Sequence, residues 1–457
     1  SRGKSAPVNT EDFISAMASL TTNLIAKEDD RLEFGGREPD QLSGFWQSVV
    51  NLVKNLVGSG MLSLSFALAA WCGSGSAMGP SVLLLVACGA MSTYGFALIG
   101  DCCDIAGEGS YQGAWSTSVS FQTRWIPGLA CFGKVVFTEI SYSMILGDCF
   151  SDIIALTGAF SSLSHWYMRA LTILGITLVI LLPLCSLKSL APLAKFSFLG
   201  VLSNVYICFF IGLRYFDGSY LRGGAWFQEA GVQPTFTEPC SLSTLFSAKS
   251  LLLVSMLASA FMCHYNAPLF YEQLSPGKSS KLARFNMVAV IGFAISGTIF
   301  TMVMLGGFMT FGATSPGFIL NGYAPADRLA FIARIAVGLS VMMSYPLVFV
   351  NLRRQAVELF GGQVEILERR QPVVVTVSLL AIVTCVAVYL TNLGKVVALA
   401  GSAFGSFLIY IGPGVMAIGA RYKLLRPQVV LQMLAQSLLV VVGLILAFVG
   451  SYEVIRK

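Results

Sequence analysis

Two short stretches of the 457-residue sequence combine polar groups that hydrocarbon penalises with residues that interrupt a helix. The first is Asn55-Leu56-Val57-Gly58-Ser59-Gly60, inside the apolar run NLVKNLVGSGMLSLSFALAAWCG. Two glycines around a serine lower the cost of leaving helical geometry. An unwound turn bares backbone donors and acceptors, which are tolerated at membrane depth only against a cavity. The ends of the two half-helices can then hold the carboxylate of a zwitterion and a cation. Close helix packing is the competing use of such glycines. The second stretch is SAFMCHYNAPLFYEQL, which places His264, Tyr265, Asn266 and Pro268 deep in an apolar segment. Pro268 lacks an amide proton and clashes with the preceding turn, so a bend or opening is expected just upstream. His264 and Asn266 need a partner or a cavity. For His264, a structural bond to a carbonyl and a part in substrate or proton coupling both stand open.

A third group lies in GLACFGKVVFTEISYSMILGDCF, where Glu139 and Ser143 share a helical face with Tyr142 beside them. A lone carboxylate at this depth requires a proton, a counter-ion or a cationic ligand. That makes Glu139 the candidate proton carrier or cation recogniser, with a helix-holding pair to Lys54 or Lys134 as the alternative. In FIARIAVGLSVMMSYPLVFVNLRR, Ser340 and Ser344 share a face before Pro346. Their hydroxyls, with Gly58, are a candidate site for Na⁺, although helical serines commonly bond back to the preceding turn. Gly401, Ser402, Gly405 and Ser406 form a small-residue seam for a sliding or closely packed helix. Tyr142 and Phe404 are expected at the edges of a pocket.

Other chemistries are excluded or left without a site. The sequence has two histidines, and its eleven cysteines show no CxxC spacing, so metal or redox work and a cofactor are not expected. Cys240 has no partner that the sequence identifies. No hydrolytic triad, di-acid pair or HExxH element is arranged for catalysis, and the chain reads as a non-enzyme. The net charge of +6 comes without a basic stripe interleaved with aromatics, which argues against nucleic acid.

The elements that must position these groups follow from composition. Hydrophobic residues make up 55% of the chain and charged residues 11%, against about 25% charged in soluble domains. Apolar segments of the length that crosses a bilayer recur near 46–70, 78–100, 128–154, 166–186, 196–213, 247–272, 286–309, 329–350, 371–390, 394–419 and 430–450. The expected fold is an all-α polytopic membrane protein of about eleven spans. The divisions are a polar tail over 1–43, a first repeat over 44–213, a polar external or lumenal loop over 214–246, a second repeat over 247–419, and a last helix with the C-terminus over 420–457. The interruptions sit five spans apart, which predicts a 5+5 inverted repeat with broken first and sixth helices. Thirteen Lys and Arg flank spans on one side against six on the other, placing the N-terminus in the cytosol. No apolar signal segment is expected before residue 40, and a self-contained bundle implies a monomer in lipid.

Four stretches, NLVKNLVGSGMLSLSFALA, SAFMCHYNAPLFYEQL, RIAVGLSVMMSYPLVFVNLR and AGSAFGSFLIYIGPG, together resemble the amino acid/auxin permease family over about residues 44 to 450. That family includes the sodium-coupled neutral amino acid transporters of animals and the vacuolar amino acid transporters of plants and fungi. The resemblance implies L-amino acid import or export coupled to Na⁺ or H⁺, in a plasma membrane or a vacuolar or lysosomal membrane. It implies that Asn55, Gly58, Ser59 and Gly60 surround the α-carboxylate, the α-amine and any sodium, and that Phe261, Cys263 and His264 turn towards the substrate side chain. The sequence departs from the animal pattern at Met342, where a hydroxyl is expected. A thioether is a poor ligand for a hard ion, so H⁺ coupling is the expectation and Na⁺ coupling the alternative. A membrane amino-acid sensor signalling through the tail is the other reading.

Overall fold

The computed structural model describes residues 42–158, 162–187, 197–277, 279–423 and 430–456. Residues 1–41 of the expected tail and the basic connection at 188–196 lie outside the described residues. The described chain is helical: α1 Phe45–Leu56, α2 Ser59–Trp71, α3 Gly75–Ala106, α4 Tyr111–Ser118, α5 Phe121–Leu156, α6 His165–Cys185 and α7 Leu199–Phe216. After a long connection come α8 Ser250–Ala260, α9 Ala267–Gln273, α10 Lys281–Phe311, α11 Arg328–Phe360, α12 Gly362–Arg370, α13 Pro372–Tyr389, α14 Leu393–Tyr422 and α15 Val430–Arg456. Ten helical stretches are long and apolar enough to cross a membrane, α8 and α9 forming one of them. The α1–α2 pair, bent by 41°, makes the eleventh. No extended sheet forms among the described residues, whose isolated bridges join Ser43 to Leu274 and Thr235 to Gly312.

Local chemistry sets the helix ends. Ser110, Ser280, Asp327 and Asn392 accept amide protons at the starts of α4, α10, α11 and α14, which satisfies donors the first turn cannot. The Asn392 cap converts the short punctuation TNLG into a true boundary between α13 and α14. Gly107 closes α3 in the left-handed conformation at φ 69°, as a helix end favours.

Burial divides the helices into an inner and an outer set. The α8–α9 and α14 spans are the most enclosed, and α7 and α15 the least. Outward residues such as Val179 on α6, Val373 and Ile382 on α13, and Leu431, Leu438 and Phe448 on α15 are large, apolar and exposed. A surface of that kind is stable against hydrocarbon and costly against water. Gly401 packs its backbone directly against the Ser255 carbonyl of α8, and α14 runs as a π-helix from Gly401 to Ile411. The small-residue seam is therefore a close contact between the two innermost spans.

Buried ion pairs gather at the end of the bundle remote from the start of α1. Arg169 on α6 donates to Asp148 on α5 at 2.5 Å and to the Ala387 carbonyl at 3.3 Å. Arg334 on α11 donates to Asp152 at 3.0 Å and to the Leu320 and Tyr323 carbonyls, both at 2.9 Å. The 214–246 connection is a polar cap at the same end. It is fixed by the Cys72–Cys240 disulfide and by Thr235, whose amide donates to the Phe311 carbonyl at 3.2 Å. Cys240 thus has a partner that sequence reading did not identify. Cys72 lies 168 positions away, and only the return of α2 to this face brings the two together.

Candidate functional site

The first break falls where the Gly-Ser-Gly run predicts it. The Val57 amide closes the last turn of α1 on the Val53 carbonyl at 2.8 Å, Gly58 is extended, and helix resumes at Ser59. The freed Val57 carbonyl accepts the side-chain amide of Asn204, on α7, at 2.9 Å. The second break spans Phe261 to Cys263, followed by one tight turn over His264–Asn266. Pro268 sits in the first turn of α9, where its missing amide costs nothing. The two broken spans cross closely: a β-carbon on Gly60 would lie 3.1 Å from the Ala260 Cα.

A cavity of about 70 Å³ occupies this crossing. Asn55, Gly58, Ser59 and Gly60 line it from the first span, Ser259, Ala260 and Met262 from α8 and the break that follows it, and Val397 and Ala400 from α14. The opposite wall is one stripe of α5, formed by Lys134, Thr138, Ser141 and Tyr142, at the spacing that shares a helix face. A second cavity, about 370 Å³, opens on the N-terminal side and is lined by residues including Tyr265, Asn266, Glu272, Arg354 and Glu358. Between them, the Lys134 ammonium donates to the Tyr265 hydroxyl at 3.0 Å and lies 4.3 Å from the ring centre.

The structure separates the sequence candidates. Asn55, Gly58, Ser59, Gly60 and Tyr142 come together around the small cavity, and Asn266 belongs to the larger one. Phe261 and His264 line neither. The turn after α8 points Phe261 at Phe293 and Phe300, with ring centres 5.9 and 5.0 Å away. His264 donates from Nε2 to the Ser92 carbonyl at 2.8 Å and stands edge-on to Phe96 and Phe293. In this arrangement Nε2 is tied to α3, while Nδ1 is buried without a hydrogen-bond partner. Ser344 bonds back to the Ser340 carbonyl at 2.8 Å, as helical serines do.

Glu139 is fully buried, and neither carboxylate oxygen has a hydrogen-bond partner. It faces away from the cavity, towards Tyr345, whose hydroxyl shares a 3.1 Å bond with Ser143. The pairing of Glu139 with Lys134 is not made, because the Lys134 ammonium goes to Tyr265. Lys134, Thr138, Ser141 and Ser259 are the polar cavity residues that sequence reading missed. Their signal was present as a lysine, a threonine and a serine at positions i, i+4 and i+7 of one apolar span.

The family described as "Transmembrane amino acid transporter protein" matches residues 41–456. Vacuolar amino acid transporter 2 of Saccharomyces cerevisiae is 25% identical over 82% of this chain and 76% of its own length. The putative sodium-coupled neutral amino acid transporter 11 of Bos taurus is 25% identical over 80% of this chain and 74% of its own length. Among solved structures, MhsT in complex with L-phenylalanine aligns with a TM-score of 0.50 at 15% identity, covering 92% of this chain and 99% of that one, a likeness of fold. With the match running across nearly every span described above, the chain belongs to the transmembrane amino acid transporter family.

Proposed function

We propose that the protein is a secondary active transporter that carries an L-amino acid by alternating access and couples its movement to H⁺. The observation that carries this reading is the cavity at the crossing of two broken spans. The amides that begin α2 have no preceding turn to bond and favour an α-carboxylate. Carbonyls at the end of α8 suit the α-amine. With the N-terminus in the cytosol, the larger cavity is the cytosolic vestibule, and Lys134 with Tyr265 stands between it and the substrate.

Three features favour H⁺ over Na⁺. The Val57 carbonyl, which would face a cation at the break, is already taken by the Asn204 amide. Met342 stands where a hard ligand is expected. Glu139, buried without a partner, is the group left to hold a coupling proton. The test is uptake of labelled amino acids by purified protein in liposomes under separately imposed gradients. Accumulation driven by a pH gradient without Na⁺ is expected. Strict dependence on Na⁺ would overturn the coupling, and absence of flux under either gradient would overturn transport.

A further inference from the structure

The small cavity contains one formally charged side chain among the described residues that line it, Lys134. Two other polar groups on the α5 wall have no proton to spare, which leaves the Tyr142 hydroxyl as its other donor. The Thr138 hydroxyl donates to the Lys134 carbonyl at 2.9 Å and the Ser141 hydroxyl to the Phe137 carbonyl at 2.8 Å. Both protons are therefore committed within the helix. An ammonium has three protons, and one of those of Lys134 goes to the Tyr265 hydroxyl. A neutral hydroxyl accepts a hydrogen bond from the ammonium but does not compensate its charge in a low-dielectric site, as an anionic acceptor would. Glu139 is on the same helix but turned outside the cavity, with no bond to the ammonium.

From this arrangement we infer that the cavity selects an amino acid with a short, acidic side chain, whose carboxylate takes the Lys134 ammonium while the α-carboxylate takes the amides of Ser59 and Gly60. The inference rests on the transporter reading for the second of these placements. Size excludes a long side chain: at about 10–15 Å³ for each water-sized occupant, 70 Å³ holds about five to seven. Charge agrees as well. A cationic side chain would meet Lys134 in a dry site, where like charges repel strongly, and a large apolar side chain would leave the ammonium without an anionic partner.

The experiment measures equilibrium binding of labelled aspartate, alanine and arginine to purified protein, alongside flux of the same three in liposomes. Aspartate is expected to bind at least tenfold more tightly than alanine, and arginine not to compete. Lys134→Gln should bring the aspartate-to-alanine affinity ratio close to one, and Lys134→Arg should keep aspartate ahead. Because the readout is a ratio within one preparation, a general loss of folded protein does not imitate it, and the charge-conserving variant reports on folding. Flux with arginine competing as well as aspartate would overturn the selectivity and leave transport standing. Aspartate binding that depends on Lys134, without flux in any gradient, would support the selectivity and remove the transporter reading. No binding of any of the three overturns both.

Discussion

The side-chain amide of Asn204 donates to the Val57 carbonyl at 2.9 Å, so a donor from α7 stands at the opened turn of the first span. A backbone carbonyl freed at membrane depth must be satisfied by something, and here an amide does what a bound cation does elsewhere in such breaks. Asn204→Ala leaves that carbonyl without its donor, at a cost of about 1–3 kcal/mol. It is expected to lower uptake at least tenfold. Asn204→Asp replaces the donor with a carboxylate beside the carbonyl, a pair that suits a small cation. Uptake by this variant, measured at constant pH with and without Na⁺, is expected to become Na⁺-stimulated. A variant that folds and stays indifferent to Na⁺ would show that the amide is not standing in for an ion.

Glu139 is buried between α5 and α11 with both oxygens unbonded. Its carboxyl is tolerated when neutral and costly when charged without a partner. If it carries the coupling proton, Glu139→Gln mimics the protonated form permanently. Exchange of internal for external substrate should then persist, while accumulation driven by a pH gradient should fall at least tenfold. Comparing counterflow with gradient-driven uptake in the same liposomes separates the two. Equal retention of both would make Glu139 a structural group.

Span number, the two breaks and the cavity face of the first helix were legible because glycine, proline and hydrophobic length act locally. Gly58 and Gly60 lower the local cost of an opening, and Pro268 places its own bend. The direction of a side chain after a break is another matter. Phe261 opens and His264 follows a non-helical turn whose rotation is set by packing against Phe293 and Phe96, residues on other spans. Helical periodicity cannot be carried across such a turn. Lys134 enters the sequence analysis, with Lys54, as the alternative counter-ion for Glu139, which lies on the same helix five positions on. Five positions turn a helix well past the neighbouring face, and the partner that matters, Tyr265, comes from beyond the second break. Cys72 and Cys240 were unpaired in the sequence for the same reason: the contact is made by topology.

The far end of the bundle is held by Asp148, which accepts from Arg169 at 2.5 Å and from Asn321 at 3.1 Å. Arg169 also has a buried guanidinium nitrogen with no partner. Removing the carboxylate leaves a buried cation uncompensated, which costs about 3–5 kcal/mol. Removing Asn321 costs one neutral-to-charged hydrogen bond, about 1.5–3 kcal/mol. Asp148→Leu is therefore expected to lower the melting temperature in detergent more than Asn321→Ala. Asn321 lies in the connection between α10 and α11 rather than in a span, so its loss should loosen this end and speed substrate exchange from that side. An Asn321→Ala protein with unchanged exchange rates would show that the contact stabilises the fold without gating it.

The Cys72–Cys240 disulfide ties the end of α2 to the 214–246 connection and reports on orientation as well as stability. Disulfides persist in oxidising compartments and are rare in the cytosol. In the orientation expected from the charge asymmetry, with the N-terminus in the cytosol, this bond lies on the opposite face. After mild reduction in sealed vesicles, a membrane-impermeant maleimide should label Cys240, the less buried partner, only when it is supplied from the non-cytosolic side. The double variant Cys72→Ser, Cys240→Ser should lose about 2–4 kcal/mol of stability. Its amino-acid selectivity should not change, since neither cysteine lines the small cavity. Labelling from the cytosolic side alone would invert the topology, and with it the assignment of the larger cavity as the cytosolic vestibule.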